Sequence, residues 1–208
     1  MEKFTTLKSI AVPLPLMNVD TDQIYPGRSP TMHTVSLERK SPSHALNAFG
    51  NLRYDADGTP RPDFVLNQPR YAGARILLAL DNFGCGSSRE MAVWCLYDLG
   101  LRCVVAPGFG DIFYANACLN GLLPVRLPRD VVTRMIEDAT RAPTPIEVDL
   151  LRQVVTAADG TRHPFEIDAY RRACLVEGLD EIARTLKSLP AIESFEKEYL
   201  RRRPWLAR

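Results

Sequence analysis

The sequence predicts an α/β fold, a partly parallel sheet flanked by helices, and three observations carry that prediction. Short apolar runs at 75–80, 102–106 and 122–127 each have the length and composition of a strand buried on both faces. The stretches between them, about 90–99 and 111–119, read as helices that Gly100 and Gly121 terminate. The first helix is preceded by the glycine turn Gly84-Cys85-Gly86, so the unit is strand, glycine loop, helix, strand, with a right-handed crossover expected.

The other elements follow in chain order. Residues 7–16 are apolar but carry Pro13 and Pro15, which cannot donate to a ladder, and so read as an edge strand or an extended lead-in segment. That segment delivers Asn18-Val19-Asp20-Thr21-Asp22 to a loop. From about 23 to 70, prolines together with Gly27, Gly50 and Gly58 predict a loop-rich substrate or lid segment with one helix around 43–49. Residues 128–141 form an amphipathic helix whose apolar stripe is Val131, Val132, Met135 and Ile136. A hairpin follows, with arms 146–155 and 163–167 around Ala158-Asp159-Gly160. Asp168 caps a helix that ends at Gly178, and pieces at about 180–186 and 191–200 complete a helical C-terminal tail over about 168–208. Arg201, Arg202 and Arg203 suit a solvated helix end, where cations face the carbonyl pole. No internal repeat divides the chain, and 1–208 reads as a single domain.

Composition narrows the function. Lys and Arg number 26 against 25 Asp and Glu, a formal net charge of +1, so no global field favours nucleic acid or an anionic membrane as partner. No apolar run approaches the roughly 20 residues of a membrane-spanning helix. The first residues, Met1-Glu2-Lys3-Phe4-Thr5-Thr6, lack a secretory pattern, which places the chain in the cytoplasm with its cysteines reduced. Cys85, Cys95, Cys103, Cys118 and Cys174 form no C-x-x-C pair and stand at no ligand spacing from His33, His44 or His163. No metal is expected on this chain. Four of these cysteines lie in apolar segments as small buried hydrophobes, and only Cys85 sits in a loop.

The candidate chemistry lies in Gly84-Cys85-Gly86-Ser87-Ser88-Arg89-Glu90, where the carboxyl end of a strand hands over to a helix. Ser87 and Glu90 stand in the S-x-x-E relation of a capping box, which alone would account for both. Arg89 points further, because a cation in a helix's first turn opposes the macrodipole unless an anion binds between guanidinium and helix amides. A phosphate loop would end in Gly-Lys-Ser/Thr, and a dinucleotide fingerprint would have a glycine where Arg89 stands. A planar guanidinium beside the hydroxyls of Ser87 and Ser88 suits a small carboxylate gripped through two parallel hydrogen bonds.

The string Asn82-Phe83-Gly84-Cys85-Gly86-Ser87-Ser88-Arg89-Glu90 resembles the small-subunit family of 3-isopropylmalate dehydratase, the swivel-domain part of the aconitase superfamily. So do Ala106-Pro107-Gly108-Phe109-Gly110-Asp111-Ile112-Phe113, Asn120-Gly121-Leu122-Leu123-Pro124 and Asn18-Val19-Asp20-Thr21-Asp22. Residues 62–67 and 167–172 fit the same pattern, so the resemblance spans most of the chain. It implies a swivelling β/β/α domain of the aconitase type. It also implies a large-subunit partner that holds a [4Fe–4S] cluster, and a small 2-hydroxy di- or tricarboxylic acid as substrate. The implied reaction interconverts 2-isopropylmalate and 3-isopropylmalate, for leucine synthesis, by removing water and adding it back in the other orientation. By this resemblance Ser87 is the catalytic base and Arg89 the carboxylate clamp, while Asp20, Thr21 and Asp22 approach the cluster side, with Thr21 within reach of substrate.

Two departures stand out. The family usually has histidine after Arg-Glu and then Ala-Pro-Trp, whereas this chain has Met91 followed by Ala92-Val93-Trp94. The stretch after Asp22 is Gln23-Ile24-Tyr25-Pro26-Gly27-Arg28-Ser29-Pro30-Thr31-Met32, in which Arg28 replaces a second anion contact. A related hydro-lyase for citramalate, homoaconitate or a dimethylmalate stays open beside the isopropylmalate reading, as does a non-catalytic carboxylate-binding paralogue.

Overall fold

The computed structural model describes residues 1–30 and 41–206. Its frame is a seven-stranded mixed sheet of β1 (Thr6–Leu14), β2 (Ile76–Ala79), β3 (Cys103–Ala106), β4 (Leu123–Arg126), β5 (Pro145–Asp149), β6 (Val154–Thr156) and β7 (Arg162–Pro164). The order across the sheet is β4-β3-β2-β1-β5-β6-β7. Strands β1 to β4 pair in parallel and β5 to β7 antiparallel. Every residue of β2 and β3 is buried, as an unbroken apolar run requires when both faces of a sheet are covered.

β1 departs from the edge position expected of it. It lies at the centre and splits its length between two neighbours. Thr6 to Ile10 pair antiparallel with β5, and Ala11 to Leu14 pair parallel with β2, from Ala11 opposite Ile76 to Leu14 opposite Ala79. Pro13 falls in the second half, where β1 has a ladder on one side only, so a residue with no N–H to donate is accommodated there.

The segment after β1 folds as α1 (Thr21–Ile24), α2 (Pro42–Asn47), α3 (Gly50–Arg53) and two 3₁₀ turns, Val65–Asn67 and Pro69–Tyr71. One helix at 43–49 is expected from the sequence, but Phe49 adopts a left-handed φ of 55° and ends it early. Helices of four residues leave no periodicity to read, which is why α1 and α3 escape a pattern search. Residues 31–40, part of the expected lid and including His33, lie outside the described residues, as do 207–208.

The remaining helices are α4 (Glu90–Asp98), α5 (Asp111–Leu119), α6 (Arg129–Arg141), α7 (Ala169–Glu177), α8 (Glu181–Leu186) and α9 (Leu189–Arg202). α6 buries Val131, Val132, Met135, Ile136 and Ala139 and lies across β1, β2 and β3. There the Tyr71 hydroxyl donates to the Ala139 carbonyl at 3.0 Å. α4 and α5 pack on each other, and α7 packs on α5. Asp168 caps α7 by accepting from the Arg171 N–H, and Gly178 closes it in the left-handed conformation. α8 and α9 bury no residue.

The expected hairpin arm 146–155 is two strands. The chain turns between β5 and β6, where Asp149 accepts from the Arg152 N–H and Gln153 takes a positive φ. The Asp159-Gly160 turn then joins β6 to β7 as the sequence predicts.

Candidate active site

β1, β2 and β3 end at one edge of the parallel half of the sheet, the edge where open α/β sheets bind ligands. The loop after β2 is held between the loops after β1 and β3 by main-chain hydrogen bonds that continue the ladder. Asn18 donates to Asp81 at 2.9 Å, Gly84 to Val19 at 2.6 Å and Thr21 to Cys85 at 2.9 Å. On the other side Phe83 donates to Gly108 at 3.0 Å and Gly110 to Phe83 at 2.9 Å. These bonds fix the loop's path without a strand.

Beneath it, Phe83 meets the edge of Phe113 at 5.4 Å, and Phe109 stacks with Phe113. Gly84 has a φ of +74°, and a Cβ there would stand 2.2 Å from the Phe113 ring. Gly110, the N-cap of α5, would place a Cβ 2.5 Å from the Gly84 carbonyl oxygen. Both must be glycine for the three loops to close on one another. Asn18 and Asn82 also take left-handed φ values of 53° and 59°, and the Asn82 side-chain amide donates to the Asn18 side-chain oxygen at 3.0 Å.

α1 serves the same turn residue by residue. Asp20 is its N-cap in a capping box: its carboxylate accepts from the Gln23 N–H at 2.7 Å, and Gln23 Oε1 accepts from the Asp20 N–H at 3.0 Å. Thr21 is 1% exposed and its hydroxyl donates to the Ser87 carbonyl at 2.8 Å. Asp22 pairs with Arg89 Nη1, which also donates to the Tyr25 carbonyl at 3.3 Å.

Asp20, Thr21, Gly84, Cys85, Gly86, Ser87, Ser88, Arg89 and Glu90 are thus brought together. Arg28 is exposed on the chain beyond α1, and among the described residues no hydrogen bond ties it to this cluster.

Two local expectations change. The capping box predicted for Ser87 and Glu90 does not form, because Arg89 is the N-cap of α4 and makes no side-chain cap, which leaves Ser87 two residues too early to reach the helix amides. Glu90 instead accepts from the Asn120 amide at 2.7 Å. Arg89 is not within the first turn either, and its charge is met by Asp22 across the loop. Ser87 and Ser88 are exposed, and among the described residues neither hydroxyl is engaged in a hydrogen bond.

Two supports of α4 are invisible to local sequence reading. Asn120, 4% exposed, gives its oxygen to Trp94 Nε1 at 3.0 Å while its amide serves Glu90 and the Asn116 carbonyl. At the other end of α4, Asp98 meets the buried His44 Nδ1 at 2.9 Å and accepts from the Ser41 N–H at 3.2 Å, and the His44 ring lies 5.6 Å from Trp94. Sequence separations of 26 and 54 residues hide both pairings.

Burial pushes the thiols of Cys95, Cys103, Cys118 and Cys174 up from their ordinary range, Cys118 to about 12. Cys85 is half-buried beside the site. Among the described residues no three His, Cys, Asp or Glu side chains gather as a ligand set. What the site offers is a cation and two exposed hydroxyls on consecutive residues at the start of a helix, a surface for a carboxylate.

Comparison with known proteins bears on this geometry. A sequence-family profile described as the aconitase C-terminal domain matches residues 1–130, and one described as LeuD_N matches residues 134–169. The chain is 48% identical over 207 residues to the 3-isopropylmalate dehydratase small subunit of Roseobacter denitrificans, covering 99% of this chain and 100% of that one. It is 47% identical over 208 residues to the protein of the same name from Paracoccus denitrificans, with the same coverage. The crystal structure of 3-isopropylmalate dehydratase (LeuD) from Methanocaldococcus jannaschii superposes with a TM-score of 0.64 at 25% identity, over 92% of this chain and 99% of that one.

Proposed function

The chain belongs to the family of 3-isopropylmalate dehydratase small subunits, and from that premise we propose that it forms one wall of a two-chain hydro-lyase. That enzyme interconverts 2-isopropylmalate and 3-isopropylmalate in leucine biosynthesis. The observation that carries the reading is the placement of exposed Ser87 and Ser88 beside half-buried Arg89 on a turn locked between the loops after β1 and β3. The relatives compared above carry the isopropylmalate name, which favours that substrate over citramalate, homoaconitate or a dimethylmalate.

In this reading Arg89 binds a substrate carboxylate and Ser88 adds a hydrogen bond beside it. Ser87 takes the carbon-bound proton during dehydration and returns a proton on rehydration. A serine alkoxide is far too basic to exist free near neutral pH, so the nearby Arg89 guanidinium must stabilise it. Asp20 and Thr21 set the turn's shape, and Arg28 supplies a second cation for the substrate's other carboxylate. The large subunit carries the [4Fe–4S] cluster, whose role when bound is that of a Lewis acid toward the departing hydroxyl. The pair works in the cytoplasm; in this chain no described helix is long and apolar enough to cross a membrane.

Anaerobic co-expression with the large subunit tests the reading. The complex is expected to convert 2-isopropylmalate in preference to other 2-alkylmalates, with neither chain active alone. A complex that assembles with its cluster intact yet leaves 2-isopropylmalate unconverted would refute it.

A further inference from the structure

We infer that Asp22 is a positioning residue for Arg89: with the Tyr25 carbonyl it holds the guanidinium by Nη1 alone and leaves the Nε–Nη2 edge for the substrate carboxylate. The inference rests on the assignment of Arg89 as the carboxylate clamp.

A guanidinium has five N–H donors in a planar fork. Both partners of Arg89 meet Nη1, Asp22 Oδ1 from one side and the Tyr25 carbonyl at 3.3 Å from another. Among the described residues no acceptor meets Nε or Nη2, and these are the two parallel donors that a carboxylate engages side-on. The Arg89 side chain is 36% exposed, and among the described residues those two donors have no protein partner. The anchors are themselves fixed. Tyr25 is buried, and Asp22 lies on a helix whose preceding residues are tied down, Asp20 by its capping box and Thr21 by its bond to Ser87. Asp20, Thr21 and Asp22 thus form one device with three tasks: capping α1, setting the Ser87 carbonyl and orienting the guanidinium.

The consequence is preorganisation. An arginine free in solvent loses rotamer entropy when it grips a ligand, whereas one already held loses little. The charge of Asp22 weakens the attraction for an incoming anion only modestly, because its side chain is 54% exposed and screened. Orientation therefore outweighs competition, and removing Asp22 weakens substrate binding.

The test uses the two-chain enzyme assayed with 2-isopropylmalate. Asp22→Asn and Asp22→Ser are expected to raise KM about threefold to tenfold while kcat stays within about twofold, because the lost interaction orients the bound ground state and the transition state alike. Arg89→Lys is expected to raise KM on its own, and adding Asp22→Asn to it should raise KM no further, since both act through one fork. A role confined to folding would move neither the split between KM and kcat nor this non-additivity. A KM that falls in Asp22→Asn would show Asp22 to be a resident competitor, and an unchanged KM would show it idle; either overturns the inference. If Arg89→Lys also leaves KM unchanged, the clamp assignment fails instead.

Discussion

Arg89 carries its charge at the N-cap of α4, where it opposes the helix dipole less than it would one residue later and where Asp22 neutralises it. Residue chemistry of this kind was half legible beforehand. The run Gly84 to Glu90 reads as a candidate anion site, but the partner that meets Arg89 is 67 residues away and becomes adjacent only through the β1–β2 pairing. Glycine identity at 84 was legible as a turn, whereas the reason for it, the Phe113 ring against the missing Cβ, was not. Buried thiols give a prediction at the same scale. The Cys118 thiol titrates near 12 in the folded chain against an ordinary 9.0, so above about pH 9 the unfolded chain holds fewer protons than the folded one. Stability is therefore full below about pH 9 and falls as pH rises toward 12, with Cys95 and Cys103 acting in the same direction. Thermal unfolding under reductant is expected to show a melting temperature that declines steadily above pH 9, less steeply in Cys118→Ala. A flat alkaline profile would contradict it.

At the scale of elements, the strands and long helices were readable because each carries its own signal: continuous apolar runs for β2 and β3, a stripe at helical spacing for α6, glycine closing α7. Pro13 argues against a central place for β1, while the structure asks only that one half of the strand lack a second neighbour. The packing of α4 was not readable at all. Its first turn depends on Asn120, whose side chain joins Glu90, Trp94 and the Asn116 carbonyl in a nearly buried setting. Asn120→Ala leaves the Trp94 N–H without its acceptor, which costs about 2 kcal/mol. The melting temperature is expected to fall by about 4–8 °C. A shift below about 1 °C would mean that the network contributes nothing.

Across the whole molecule, the sheet has a division of labour. Its parallel half gathers three loops at one edge, while the antiparallel half, β5 to β7, extends the frame from the other side of β1. The family membership supplies the reaction, and in the proposed scheme Arg89 binds, Asp22 orients and Ser87 moves the proton. Of these, the proton transfer is central, because without it the turn is merely an anion site. The measurement that addresses it is turnover of 2-isopropylmalate by the cluster-loaded two-chain enzyme carrying Ser87→Ala, beside the neighbouring Ser88→Ala. The account predicts that Ser87→Ala lowers kcat on the order of 10²–10⁴-fold, with assembly and melting temperature unchanged, and that Ser88→Ala acts mainly on KM. A Ser87→Ala enzyme that assembles normally and keeps its full kcat would contradict it.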